Sequence, residues 1–173
     1  MDNCRLANEL SVGDKAAIVN EVRPVDLPLF AAATGDVNPI HFDQVYAEST
    51  FFKGPIAHGM LCAGFISAVI ANRLPGLGTV YVSQEVKFLA PVRIRDTITA
   101  QVEVLEVDGK KNRVKLRTTC TNQAGVLVVD GEAVVSPPKR IPPPEVSSGM
   151  PGRSVACASK LERAAGAFES AFQ

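Results

Sequence analysis

The chain has 173 residues, 46% of them hydrophobic, which suits one domain with its own core and leaves room for a short appendage. Its 18 Lys and Arg residues equal its 18 Asp and Glu residues, so no positive excess draws it to nucleic acid or to an anionic membrane. The longest uncharged apolar run, residues 59–71, is shorter than the roughly 20 residues that a membrane-spanning helix needs.

The first third of the chain predicts one strand, one short helix and a long loop. We expect the strand over residues 14–22, followed by a helix that begins near Asp26 and ends at Gly35. Residues 35–54 are rich in loop-forming types, with one helical turn expected over residues 43–48. A loop of this length inside a compact domain is more often functional than idle.

The middle of the chain predicts a buried helix followed by an antiparallel sheet. Residues 58–72 are apolar on all sides of a helix, so this helix must be surrounded by protein. Alternating apolar residues such as Ile98, Ala100 and Val102 predict strands that each bury one face. The predicted strands cover residues 79–89, 96–107, 112–121 and 126–136, with hairpin connections at residues 108–109 and 122–125. A sheet wrapped around one long buried helix is the hotdog architecture, so we predict an α+β hotdog fold.

The composition changes after Ser136 to a segment rich in Pro and Gly, which predicts an extended linker. Farther on, Ser159 and Glu162 form a capping box, and the apolar residues that follow share one helical face. We therefore predict one domain over residues 1–140. Residues 141–173 are expected to form a Pro-rich linker and a C-terminal amphipathic helix.

Cysteine spacing and the N-terminal sequence bear on compartment and cofactors. The four cysteines form no CxxC or CxxH cluster, which predicts free thiols in a reducing compartment; they are Cys4, Cys62, Cys120 and Cys157. The N-terminus resembles neither a secretory signal nor an Arg-rich transit peptide. We expect a soluble intracellular protein of the cytoplasm or, after loss of a presequence, of the mitochondrial matrix. Neither GxGxxG nor GxxxxGK[ST] occurs, so no cofactor is predicted.

Both histidines of the chain fall in or beside the long loop, and one of them accompanies a carboxylate. Taken singly, Asp36 could be a loop aspartate that accepts backbone N–H groups, and His41 a partly buried ring satisfied locally. Together they suit acid–base chemistry, because an imidazole with a pKa of about 6.5 exchanges a proton near neutral pH while an aspartate stays ionised.

Residues 35–41, Gly-Asp-Val-Asn-Pro-Ile-His, resemble the signature of the MaoC-like, (R)-specific enoyl-CoA hydratases, with the aromatic Phe30 before it and Ala47 after it. The similarity continues in three further segments, residues 55–60, 81–85 and 88–92. Within that family the combination looks most like the type 2 3-hydroxyacyl-thioester dehydratases, and the tail after Lys139 lies outside the resemblance. The resemblance implies a hydro-lyase of fatty-acid metabolism that reversibly hydrates trans-2-enoyl thioesters, of CoA or acyl carrier protein, to (R)-3-hydroxyacyl thioesters.

The resemblance also implies catalytic roles for three residues. Asp36 and His41 would hold and activate one water, which delivers oxygen to C3 and a proton to C2 on the same face of the substrate. Negative charge then builds on the thioester oxygen, and the backbone N–H of Gly59 at the start of the buried helix would stabilise it. Close packing at a helix start is the structural alternative for Gly59.

Three more residues are candidate substrate-binding residues. Asn38 could orient the loop or the water, or simply form an Asn-Pro turn. His58 could contact the substrate, although a hydrogen-bonded structural histidine is the commoner case. Ser67 could face the acyl tunnel, or its hydroxyl could bond to a carbonyl four residues back.

The sequence leaves three other functions open. His41 and His58 with Asp36 or Asp43 would satisfy the two-His-one-carboxylate formula for iron, but the histidines lie on different elements and we predict no metal. A hotdog thioesterase would use Asp36 to activate water against the carbonyl carbon. A non-catalytic module that binds acyl thioesters is the third alternative.

Partner predictions follow from the sheet and from the resemblance. We predict a homodimer, because a sheet of about five strands leaves edges that proteins pair or cover. The resemblance adds that hotdog subunits join edge to edge, with thioester tunnels near the interface. Lys87, Arg93 and Arg95 could then contact the phosphates of CoA or an acidic carrier protein, or they could be ordinary solvated charges. Neither nucleic acid nor a membrane is an expected partner.

Overall fold

The computed structural model describes residues 4–140 and divides them between two compact units. The first unit comprises residues 4–21, 59–92 and 96–140, and the second comprises residues 22–58 and 93–95. The helices and strands are β1 (Lys15–Glu21), α1 (Asp26–Thr34), α2 (Gln44–Ser49), α3 (Gly59–Asn72), β2 (Val80–Phe88), β3 (Thr97–Asp108), β4 (Arg113–Thr121) and β5 (Leu127–Ser136). The predicted C-terminal helix and Cys157 lie outside the described residues.

An antiparallel sheet in the order β1-β3-β4-β5-β2 forms most of the first unit. Strands β3 and β4 form where apolar residues alternate, and along β3 the residues from Ile98 to Val104 are fully buried at every second position. Each of the five strands predicted from the sequence is present, with ends that differ by no more than one residue. The sheet therefore presents one apolar face, against which a helix packs.

Helix α3 contacts β1, β3 and β4 in the first unit. Its buried face consists of Cys62, Phe65, Ile66, Val69 and Ile70. The opposite stripe is exposed and consists of Met60, Gly64, Ser67, Ala71 and Asn72. Within the described residues of a single chain, the sheet therefore covers one side of this helix and leaves a stripe of it exposed.

The second unit carries α1, α2 and the loop between them. Asp26 begins α1, where its carboxylate accepts the N–H of Arg23 at 2.9 Å and pairs with the Arg23 guanidinium at 2.6 Å. Gly35 ends α1 in the left-handed conformation, with φ of 79°, which glycine adopts without a steric penalty. Asp43 caps α2 by accepting the N–H of Tyr46 at 2.9 Å.

Cys4, Cys62 and Cys120 are buried free thiols, as predicted. Burial raises the pKa of Cys62 to about 11 and that of Cys120 to about 12, so both core thiols stay protonated at neutral pH. None of the helices between residues 4 and 140 combines the length and the apolar character that crossing a bilayer requires.

Candidate active site

The loop that follows α1 brings Asp36 and His41 into one short segment of the second unit. Asp36 comes directly after the left-handed Gly35, and its carboxylate accepts the N–H of Asn38 at 3.3 Å. The side chain of Asn38 in turn accepts the N–H of Ile40 at 3.2 Å and caps a 3-10 turn over Pro39–His41. Asn38 and Pro39 indicate a turn in the sequence, but its 3-10 hydrogen bonds were not predicted.

His41 is 9% exposed, and its Nδ1 lies 2.8 Å from the backbone carbonyl of Ile56. A carbonyl oxygen can only accept, so Nδ1 carries the hydrogen in this bond. Neutral His41 therefore presents an unprotonated Nε2, which can accept a proton from a bound water.

His58 is 2% exposed and contacts the backbone of the loop that carries Asp36. Its Nε2 donates to the backbone carbonyl of Asp36 at 3.1 Å, while its Nδ1 has no hydrogen-bond partner among the described residues. Its ring stacks on that of His41, with centroids 3.8 Å apart, and contacts the ring of Phe30 at 4.8 Å. Burial, and to a smaller degree the nearby His41, lowers the pKa of His58, so its ring is neutral at physiological pH.

Asp36, His41 and His58 form a compact cluster. Each side chain offers one nitrogen or carboxylate oxygen, and these atoms lie within 4.8 Å of one another. Two hydrogen bonds of about 2.8 Å that share one water oxygen span up to about 5 Å. A single water can therefore bridge the carboxylate of Asp36 and the ring of His41.

The same cluster tests the alternative of a metal site. The rings of His41 and His58 stack with an interplanar angle of 30°, and the lone pair of an imidazole lies in its ring plane. The two ring planes are inclined by only 30° at a centroid distance of 3.8 Å, an arrangement in which two in-plane lone pairs converge poorly on one ion. Asp43, the other candidate carboxylate, is occupied at the N-terminus of α2. This geometry favours water activation over chelation.

Residues 10–125 match the family model described as the MaoC like domain. The chain belongs to the MaoC-like family. It is 51% identical over 96 residues to the (R)-specific enoyl-CoA hydratase of Rhodospirillum rubrum. The aligned residues cover 56% of this chain and 67% of that protein. The (R)-specific enoyl-CoA hydratase of Aeromonas caviae is 40% identical over 132 residues, or 76% of this chain and 98% of the relative.

A solved structure of a relative bears on the fold of this MaoC-like chain. The R-hydratase PhaJ1 from Pseudomonas aeruginosa, in its unliganded form, superposes with a TM-score of 0.73 at 48% identity. The superposition covers 78% of this chain and 86% of that protein. The predicted hotdog fold is thereby confirmed.

Gly59, the candidate oxyanion residue, begins α3 in the first unit and follows His58 directly in the chain. A Cβ added at this position would lie 2.8 Å from Cε1 of Phe88, closer than side chains approach one another. Close packing is thus a sufficient reason for glycine here. The oxyanion role of its N–H stays a prediction.

The remaining predicted residues have different surroundings. The Asn38 side chain caps the 3-10 turn, which is the structural alternative, and Ser67 lies on the exposed stripe of α3. Lys87 is exposed and lies 3.7 Å from Glu85. Arg93 donates to three backbone carbonyls of its own unit, so its guanidinium is already engaged.

Two contacts of the site could not be predicted from the sequence. The acceptor that orients His41 is the backbone carbonyl of Ile56, and a carbonyl is present at every residue. Arg93 is distant in sequence from the loop that it contacts. Phe30, by contrast, is part of the family resemblance, and its contact with His58 gives that aromatic position a structural role.

Proposed function

We propose that this MaoC-like chain catalyses the reversible hydration of trans-2-enoyl thioesters to (R)-3-hydroxyacyl thioesters. The cluster of Asp36 and His41 carries the proposal, because a carboxylate oxygen of Asp36 and a ring nitrogen of His41 lie within 4.8 Å of each other, close enough to share one water. The names of two relatives, (R)-specific enoyl-CoA hydratases, support this chemistry and its stereochemistry. The substrate is a thioester of CoA or of acyl carrier protein.

The two catalytic side chains have complementary tasks. Nε2 of His41 accepts a proton from the water as the water oxygen bonds to C3 of the enoyl group, while the Asp36 carboxylate holds the water in place. The electron pair of the double bond moves toward the thioester carbonyl, and C2 then takes a proton from the catalytic pair. Dehydration follows the same path in reverse.

Two further groups assist this reaction. His58 fixes the backbone of Asp36 by its 3.1 Å hydrogen bond and, being neutral, places no competing positive charge beside His41. The N–H of Gly59, at the N-terminus of α3, is the proposed donor to the thioester oxygen as negative charge develops there.

We also propose that two copies of the chain form the working enzyme. Strand β2 is an edge of the described sheet and exposes the apolar side chains of Val80, Val82 and Phe88. Helix α3 in the same unit exposes a second stripe, in which Met60 is the large apolar side chain. A second copy would cover both surfaces.

Substitution of the pair tests the mechanism. We expect Asp36→Asn and His41→Ala each to lower the rate of crotonyl-CoA hydration by several orders of magnitude, since acid–base groups contribute about 10²–10⁴-fold each and here share one water. The matched control is Asp43→Asn, which also removes a loop carboxylate but leaves an N-cap of equal quality. Near-wild-type turnover in a folded Asp36 or His41 variant would contradict the mechanism.

Two product analyses test the activity itself. Chiral chromatography of the hydration product should give the (R)-3-hydroxyacyl thioester, and an (S) product would refute the assignment. A thiol assay on the same reaction distinguishes hydration from thioester cleavage, because only a thioesterase releases free CoA.

A further inference from the structure

The guanidinium of Arg93 contacts three backbone carbonyls of one loop in the second unit. Nη1 donates to the carbonyl of Gly54 at 2.8 Å and to that of Pro55 at 3.0 Å, and Nη2 donates to the carbonyl of Phe52. A planar guanidinium offers several donors in fixed directions, which the point charge of a lysine does not. Arg93 therefore holds the backbone of residues 52–55 from a distant position in the sequence.

The loop that Arg93 contacts has an unusual backbone. Lys53 has φ of 56° and Gly54 has φ of 143°, and a positive φ is costly for a residue with a side chain. A Cβ added at Gly54 would lie 3.2 Å from Nη1 of Arg93, so the guanidinium packs directly on this turn. Such a conformation persists where surrounding groups fix it, and Arg93 supplies three of the contacts that do so.

The same loop carries the acceptor that orients His41. The carbonyl of Pro55 accepts from Arg93, and the next carbonyl, that of Ile56, accepts Nδ1–H of His41 at 2.8 Å. The N–H of Ile56 donates to the carbonyl of Ile40 at 3.3 Å, directly before His41. One peptide unit thus separates the arginine from the group that sets the tautomer of the catalytic imidazole.

His58 extends these contacts to the other member of the pair, because it donates to the carbonyl of Asp36 at 3.1 Å. Residues 56 and 58 of the 52–58 loop therefore contact His41 and the backbone of Asp36, and residues 52–55 of the same loop contact Arg93. We infer that Arg93 is a positioning residue for hydration, acting through this loop on the orientation of His41. The inference rests on the function proposed above.

A different role for Arg93, binding of CoA phosphates, predicts different kinetics. A phosphate-binding arginine affects only substrates that carry the nucleotide and acts mainly on KM. A positioning arginine affects kcat with any acyl carrier, because it changes the enzyme's own catalytic geometry. Crotonyl-CoA and the crotonyl thioester of N-acetylcysteamine, which lacks the nucleotide, therefore separate the two roles.

The test compares Arg93→Met and Arg93→Lys with the matched control Arg117→Met. Arg117 is an exposed arginine of the first unit that pairs with Asp130 at 3.4 Å, so its variant removes one guanidinium, as Arg93→Met does, but at a distance from the 52–55 backbone in the sequence. We expect Arg93→Met to lower kcat about 10–100-fold on both thioesters, the range for small displacements of a catalytic group, with KM little changed. Arg93→Lys should regain only part of the loss, because one ammonium cannot bond to three carbonyls.

A spectroscopic measurement tests the inference without relying on turnover. It also uses Arg93→Lys, the milder variant, in case Arg93→Met folds poorly. The ¹⁵N shifts of the His41 ring should report a proton on Nδ1 in the wild type and in Arg117→Met, and a mixture of tautomers in Arg93→Lys. An increase in KM confined to crotonyl-CoA, or unchanged kcat and tautomer in the Arg93 variants, would overturn the inference. If the wild type hydrates neither thioester, it is the proposed function that fails.

Discussion

Backbone carbonyls set the hydrogen positions of both histidines in the site. Ile56 fixes the proton of His41 on Nδ1, and Asp36 fixes that of His58 on Nε2. Asp36 and His41 could be predicted from the sequence, since their residue types and spacing suit acid–base chemistry and match a family signature. Their partners could not, because a backbone carbonyl has no side-chain identity and its place depends on the folded loop.

The buried His58 makes the stability of the protein depend on pH. Burial lowers its pKa in the folded state, whereas the unfolded chain protonates it near the ordinary value of about 6.5. The unfolded state therefore binds more protons as pH falls, so the contribution of neutral His58 is present above about pH 6.5 and is lost below it. We expect the free energy of unfolding to decrease as the pH is lowered from about 7.5 to about 5.5. These two values lie on either side of the unfolded-state pKa of about 6.5.

Urea titrations of the wild type and His58→Asn at both pH values measure this effect. Asparagine keeps a side-chain amide donor but does not titrate, and the other ionisable groups are common to both proteins. The decrease should be smaller in the variant. An equal decrease in the two proteins would show that another group causes the pH dependence.

At the level of elements, the sequence predicted each strand and each α-helix of the described residues, although only some of them by hydrophobic periodicity. Alternation in β3 and β4 corresponds to side chains that point in turn to the core and to the outside. The 3-10 turn over Pro39–His41 was not predicted, because Pro39 and Asn38 indicate only a turn and not its hydrogen bonds. Helix α3 was predicted as buried on all sides because its apolar residues surround it, yet within one chain a stripe of it is exposed.

That stripe and the edge strand β2 give a prediction about assembly. Val80 on β2 is 61% exposed, and Val19 on the opposite edge strand β1 is 63% exposed. If β2 is the edge that pairs with a second copy, Val80→Glu places a charge in the interface and should shift the protein toward monomer. Val19→Glu is the matched control and should leave the dimer intact.

Light scattering and sedimentation at micromolar concentration measure this outcome. A wild type that is monomeric would defeat the dimer proposal as a whole. A dimer that Val19→Glu dissociates and Val80→Glu does not would place the interface at the β1 edge.

At the level of the whole molecule, the order of elements was sufficient to predict the architecture. An apolar helix followed by four alternating strands leaves few ways to bury every apolar face, and the chain adopts the antiparallel sheet with the helix packed on it. The sequence did not predict that residues 93–95 belong to the second unit. It depends on contacts such as the 2.7 Å hydrogen bond from the N–H of Arg95 to the carbonyl of Val22, which join residues far apart in sequence.

The segment after Arg140 gives the last prediction. The family match ends at residue 125, and Asn112 secures the end of β5 by donating to Oγ of Ser136 at 3.0 Å and to the carbonyl of Pro137 at 2.7 Å. Truncation after Arg140 keeps both bonds and every proposed catalytic residue, so we expect kcat on crotonyl-CoA to stay within about twofold of the full chain. If the truncated and folded protein lost activity as completely as His41→Ala, residues 141–173 would belong to the active site and the proposed division into a catalytic domain and an appendage would be wrong.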